Sequence, residues 1–265
     1  MAVVFLIGGT GNQLFQFATS SPNDRFSTFF LKHSVREALG WTDHEQFLTY
    51  DEVGLMSQVG ALVVLALDIA LAKLFGRTFF SALDAKRLRG APIFTELVRF
   101  GYFQTAPERR DLEPIARQIA PLIQVGCVVL HIRGGDLLQL ELAGNNVYGL
   151  LGAEYYRESI AATLEDMERR GENIRRILIL TDDPDYAATF DLSIKGAPRA
   201  EVVRTSLKET LALATGADWF ISSNSTLSNW IVRLRKGFHS IAPSPFQKRN
   251  DIDLPSETCR ILVDY

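Results

Sequence analysis

His131, Arg133 and Asp136 stand around the pair Gly134-Gly135, directly after the apolar run Val128-Val129-Leu130. An apolar run of that length suits one buried strand, and it breaks abruptly into a polar turn. In an open parallel sheet, ligands bind where strands end at their carboxyl edge. An arginine there offers a planar fork of donors to a phosphate, and the glycines let backbone amides approach closely. The alternative is a strand end without a ligand, since buried strands also finish in such turns.

Three further polar turns share this character. Gly8-Gly9-Thr10-Gly11-Asn12-Gln13 follows the apolar run at 3–7 and precedes a helix start at Leu14-Phe15-Gln16. Glycines at such a junction permit positive φ and close ligand approach, or simply a tight strand–helix turn. The spacing does not match the dinucleotide fingerprint, and no acid stands at the ribose-binding distance, Asp24 coming too early. Thr181-Asp182-Asp183-Pro184 ends the run at 177–180. One acid there is expected to cap a helix that has Pro184 in its first turn, leaving the other for ribose hydroxyls or base N–H groups. Ser222-Ser223-Asn224-Ser225-Thr226-Leu227-Ser228-Asn229-Trp230 carries more hydroxyls and amides than one helix cap needs. Its Asn224, Ser225, Thr226 and Ser228 read as an anion nest for a diphosphate.

The elements that must hold these turns alternate. Strands are predicted at 3–7, 125–132, 176–181, 201–204, 219–222 and 238–242, and helices at 112–123, 155–170 and 206–215. Several strands are continuous apolar blocks, as in parallel sheets covered on both faces. The alternation predicts an α/β architecture of Rossmann type, begun twice. Residues 1–123 and 124–265 are therefore read as two domains with a ligand cleft between them. The stretch 24–99 reads as helix-rich and without strands.

The chain has 265 residues, 47% of them hydrophobic and 22% charged, enough apolar surface for a core in each domain. Net charge is −3 with dispersed basic residues, so no nucleic-acid partner is expected. Two cysteines, Cys127 and Cys259, cannot form a disulfide framework, and the expected location is the cytoplasm. No secretory leader is read at the start of the chain. The four histidines lack metal-ligand spacing, and helix capping accounts for Asp183-Pro184-Asp185 as well as a metal clamp does. No metal or cofactor is expected. The apolar segment 59–75 is interrupted by Asp68 and Lys73 and reads as a core helix, with a helix lying on a membrane surface as the alternative.

Taken in order, these motifs resemble the α-1,2-fucosyltransferases of bacterial surface-polysaccharide synthesis. The family's G-G-x-G-N-Q-x-F-Q-x-A stands at Gly8 to Ala18, its G-Y-F-Q at Gly101-Tyr102-Phe103-Gln104, and its H-x-R-R-x-D at His131 to Asp136. Its S-D-D strand end corresponds to Thr181-Asp182-Asp183, and its N-S-T-F-S-W-W to Asn224 through Trp230. The resemblance implies a GT-B fold, two Rossmann-like domains facing a central cleft, with GDP-β-L-fucose held mainly by the second. It implies metal-independent, inverting transfer to a hydroxyl, galactose O2, of an oligosaccharide or lipid-linked glycan acceptor. Arg133 is then expected on the β-phosphate, His131 beside the nucleotide, and Asp182 or Asp183 near ribose or guanine. Ser225, Thr226 and Ser228 would contact the diphosphate, and Asn12 would reach in from the first domain. The acceptor pocket is expected within 24–99, and the site of action at the inner face of the cell membrane.

The chain departs from that pattern in three places. Gly134 replaces the second arginine, Thr210 replaces an acid expected just before Leu211 (with Glu209 adjacent), and Asn229-Trp230 replaces a tryptophan pair. A related donor such as GDP-colitose, or a nucleotide-sugar-binding module without turnover, are the alternatives these departures leave open. The general base is read as Asp136 or Glu141, the latter ten residues after His131, as in the related α-1,6-fucosyltransferases. A dissociative reaction needing little base is the third choice. A P-loop kinase and a dehydrogenase lack their fingerprints here.

Overall fold

The computed structural model describes residues 1–39, 48–75, 81–83, 97–100, 108, 110–143, 149–235, 238–247 and 254–263. The chain divides into two compact units, Met1–Pro114 and Ile115–Tyr265. The division falls at the start of a helix that the sequence reading placed wholly in the first domain.

In the first unit the described elements are β1 (Val3–Phe5), α1 (Thr10–Ala18), β2 (Arg25–Ser27), α2 (His33–Leu39), α3 (Leu55–Phe75), β3 (Ser81–Leu83) and β4 (Val98–Phe100). The strands form one parallel sheet in the order β2-β1-β4-β3. Three of these strands lie in the stretch read as strand-free, which is a correction. Each has three residues, too few to display the period-two alternation that marks a strand in sequence. Phe5, Ala61, Leu65 and Val98 form a core between α3 and the sheet, with Phe29, Phe30 and Phe100 around it. A second cluster joins Phe17, Phe26 and Tyr50. Arg110 lies over the rings of Phe17 and Phe26 and donates to the carbonyls of Ser21, Pro22 and Asp24, closing the loop before β2. Helix α3 is a core helix on one side only: Gln58, Ala61, Leu65, Asp68 and Ala72 are buried, while much of its apolar surface is exposed.

The second unit follows α4 (Glu113–Ile119) with β5 (Gln124–Ile132), α5 (Gly135–Leu142), α6 (Ala153–Arg169), β6 (Arg176–Thr181), α7 (Pro184–Ala188), β7 (Ala200–Val203), α8 (Leu207–Gly216), β8 (Ala217–Ile221), α9 (Thr226–Leu234), β9 (His239–Ser244) and β10 (Cys259–Leu262). Helix α4 stops short of the predicted 123 because Ala120 takes φ 49° and Pro121 follows, neither of which continues a helix. Strand β10, four residues long and with Arg260 interrupting its apolar run, was not anticipated. The six strands are all parallel in the order β10-β9-β8-β5-β6-β7. The chain enters at β5, winds outward through β6 and β7, then returns to β8 on the other side of β5. That reversal opens a crevice at the carboxyl ends of β5 and β8. Val128, Val129 and Leu130 are wholly buried, with Tyr155, Tyr156, Ile160 and Met167 of α6 in the same core. Continuous apolar strands here do mean a sheet covered on both faces.

Candidate functional site

The strand register decides which side chains meet. His131 pairs with Leu180 and Ile132 with Thr181 across β5 and β6, so Arg133 and Asp182 leave the sheet side by side. Leu130 pairs with Ile221 across β5 and β8, so His131 leaves beside the serine run that follows β8. Three turns far apart in sequence thus converge at the crevice.

At its centre is a buried triad. His131 Nδ1 lies 2.6 Å from Ser228 Oγ and 3.2 Å from Ser223 Oγ, and the two hydroxyls are 2.9 Å apart. The Ser223 N–H also donates to Ser228 Oγ at 3.1 Å. The imidazole is anchored through Nδ1, and among the described residues nothing engages Nε2. Burial, reinforced by the charge of Arg133, pushes the His131 pKa down to about 3. At neutral pH the ring is therefore an uncharged hydrogen-bonding group, not a cation.

Arg133, half-buried beyond β5, pairs with the Asp182 carboxylate. The other oxygen of Asp182 accepts from the Gly134 N–H at 3.1 Å. The two residues expected on different parts of a nucleotide thus hold each other. Asp183 is the cap the sequence asked for, its carboxylate accepting from the Tyr186 N–H at 3.0 Å with Pro184 at the first turn of α7. The glycine pair has a packing cause. A Cβ on Gly134 would stand 2.7 Å from the Tyr186 ring and 2.9 Å from Asp183 Cβ, and Gly135, at φ +33°, lies against the Asp182 carboxylate. An arginine at 134 has no room unless α7 moves.

The serine run divides its labour. Ser225 caps α9, accepting from the Ser228 N–H at 3.1 Å, and Ser223 Oγ accepts from the Ser225 N–H. Asn224 donates to the Gly149 carbonyl at 2.8 Å, and its own carbonyl accepts from Gln247. Asn229 accepts from Arg233, whose guanidinium lies over the buried Trp230 ring. Thr226 is half-buried at the first position of α9. The first N–H groups of a helix have no intrahelical acceptor, and nine residues of α9 direct a positive dipole end to this edge. Ser222 Oγ and Asn229 Nδ2 are buried with no partner among the described residues. Helix α5 starts from the same edge, immediately after Gly134.

Sequence reasoning missed the residues that hold this edge. Tyr155 donates to the Ser222 carbonyl at 2.8 Å, and Tyr156 to the His131 carbonyl at 3.1 Å. Two neighbouring phenols on α6 thus grip the ends of the two strands that border the crevice. Adjacent tyrosines on the apolar side of a helix were the available signal, because a buried phenol needs an acceptor. Arg235, also missed, is buried at the opposite end of the sheet. There it donates to the carbonyls of Ala214, Ala217, Asp218 and His239.

In the first unit, Gly8 takes φ 72° and its carbonyl accepts from Gln13 at 2.9 Å and from the buried Arg36 at 3.2 Å. Gln16 accepts from the Ile7 N–H, and Tyr50, whose pKa burial raises, donates to Gln13. Gln13 and Gln16 are therefore structural, whereas Asn12 is half-buried at the start of α1.

Of the two carboxylates read as bases, Glu141 is half-buried on the last turn of α5. The Asp136 side chain lies outside the described residues, as does the segment Gly101-Tyr102-Phe103-Gln104. Glu209 is engaged in a capping box with Ser206, which holds its carboxyl below the usual range through the Ser206 N–H and hydroxyl. Thr210 bonds Thr205. Among the described residues, no three His, Cys, Asp or Glu side chains are grouped to hold a metal ion.

No protein-family model matches the chain, and no curated protein does. Among solved structures, the chain is similar to E. coli heptosyltransferase WaaC with ADP, at 12% identity and a TM-score of 0.49, covering 99% of this chain and 93% of that one. It is also similar to the same enzyme with ADP-2-deoxy-2-fluoro heptose, at 12% identity and a TM-score of 0.46, with 98% and 92% covered.

Proposed function

We propose that the protein is a glycosyltransferase of GT-B type whose second unit holds a nucleotide-sugar donor at the β5–β8 crevice. Within that class we assign metal-independent, inverting transfer of L-fucose from GDP-β-L-fucose to galactose O2 of a glycan acceptor, in the cytoplasm. The observation that carries the reading is the convergence of His131, Ser223 and Ser228 with Arg133 and the start of α9 at the sheet's switch point. The motif order supports the choice of fucose.

Glycosyl transfer needs the departing diphosphate stabilised as charge builds on it. Arg133 would exchange Asp182 for the β-phosphate, while the amides at the start of α9 and the Thr226 hydroxyl would take the remaining oxygens. Neutral His131 offers Nε2 as a hydrogen-bonding group without adding charge. Asp182, released by the exchange, is left to accept from ribose hydroxyls. Asp136 or Glu141 would receive the acceptor's proton.

Two observations favour a second reading with a related GDP-6-deoxyhexose such as GDP-colitose, or binding without turnover. Gly134 is packed where the family has a second arginine, and Glu209, nearest the missing acid, is bound in a helix cap. A donor panel of GDP-fucose, GDP-colitose and GDP-mannose, run with EDTA and a galactoside acceptor, separates these readings. GDP release with formation of an α-1,2 linkage from GDP-fucose is the expected result. Turnover only with GDP-colitose moves the donor assignment, affinity without turnover identifies a binding module, and no binding of any GDP-sugar overturns the function.

A further inference from the structure

Helix α3 carries more apolar surface than its core uses: Leu62, Val64, Leu65 and Ile69 pack inward, yet the opposite side is apolar as well. Its outward side carries Met56, Val59, Val63, Leu67, Ala70 and Leu74, which at 100° per residue fall on one narrow stripe running the length of the helix. Exposure reaches 83% at Met56, 62% at Val63 and 77% at Leu74. The side that packs on the sheet bears Leu65, the small Ala61 and Ala72, and two polar residues, Gln58 and the fully buried Asp68. The helix's charges are thereby sorted. Its one acid is turned into the protein, and its one base, Lys73, is exposed at the border of the apolar stripe.

We infer that this face of α3 docks on an anionic lipid surface, lying along it rather than crossing it. Length and composition alone would let the helix cross a membrane, but the contacts of Ala61 and Leu65 with Phe5 and Val98 of the sheet argue for a helix lying on the surface. The area argues against a second copy as occupant. A helix of 21 residues is about 31 Å long and presents a stripe of roughly 300 Å², whereas a stable protein interface takes about 800 Å² from each partner. Charge decides the kind of surface. An outward face whose single charge is a lysine at its edge sinks its apolar side chains among acyl chains while the ammonium reaches acidic headgroups. The inference holds for any activity of the second unit.

The test is flotation of the full chain with vesicles of phosphatidylcholine alone or mixed equally with phosphatidylglycerol, at low and high salt. Binding to the mixed vesicles, weakened by salt and by omission of phosphatidylglycerol, is expected. Val63→Gln with Leu67→Gln should weaken it by more than about tenfold, and Lys73→Gln by about fivefold. Unchanged circular dichroism certifies folding, and the separate substitution Met56→Gln, at the most exposed position, repeats the test should the double variant misfold. Absence of flotation with either vesicle, equal binding to both, or wild-type binding by the folded glutamine variants would each overturn the inference. So would a concentration-dependent dimer that the same substitutions abolish in a protein that ignores vesicles.

Discussion

Arg133 is the residue on which the proposed chemistry turns, and the structure gives it a carboxylate partner instead of leaving it bare. An arginine paired with Asp182 at a half-exposed edge costs little to release, because exposed ion pairs contribute at most about 1 kcal/mol. On the proposed reading a phosphate can therefore compete for it, with the freed carboxylate left to meet the rest of the nucleotide. His131 plays the opposite part, being fixed, buried and neutral. Its folded pKa of about 3 lies below the ordinary 6.5, so the unfolded chain takes up a proton that the folded one refuses. Stability is full above pH 6.5 and falls as pH drops toward 3, by about 1.4 kcal/mol per pH unit. Between pH 7 and pH 5, urea unfolding of the wild type should lose about 2 kcal/mol more than that of His131→Asn, which keeps a hydrogen-bonding group beside Ser228 but cannot ionise. Parallel pH dependence in the two proteins would show that the imidazole is not held neutral.

At the scale of elements, the crevice is a product of strand order and of helices that begin where strands end. The polar turns after β5, β6 and β8 were all visible in the sequence, because each interrupts an apolar block abruptly. What each side chain does in its turn was only partly visible. Asp183 as the cap of α7 follows from Pro184 beside it. The bond between Arg133 and Asp182 depends on the β5–β6 register, which no local pattern encodes. The tyrosines of α6 show the same limit, since their acceptors, at the end of β5 and just past β8, lie 25 and 67 positions away in sequence. Tyr156→Phe removes one donor from the His131 carbonyl in a dry core. It should lower the unfolding free energy by about 1–2 kcal/mol, with a similar loss for Tyr155→Phe. An unchanged urea midpoint in both variants would mean that these phenols do not hold the edge.

For the whole molecule, the doubled α/β start was legible from glycine turns after apolar runs, and both units have parallel sheets. The second unit was read almost strand for strand because its central strands β5, β6 and β8 are apolar and mostly buried. The first was not, since three-residue strands carry no period and much of its order comes from buried polar groups. Arg36, Asp24 and Gln13 look like surface residues in sequence, yet they tie Gly8, Ala2 and Tyr50 into the unit's interior. The exposed stripe of α3 was likewise concealed, because apolar residues in sequence do not say which side faces inward.

The β5–β8 edge of the second unit is proposed to bind a nucleotide diphosphate through Arg133 without a divalent ion. Isothermal titration of GDP in EDTA, into the wild type and Arg133→Ala, tests it most directly. Saturable binding to the wild type is expected, with affinity weakened by about ten- to a hundredfold in the variant through the loss of one charge-assisted hydrogen-bonding group. Binding of equal strength to both proteins, or binding that appears only when a divalent cation is added, would contradict it.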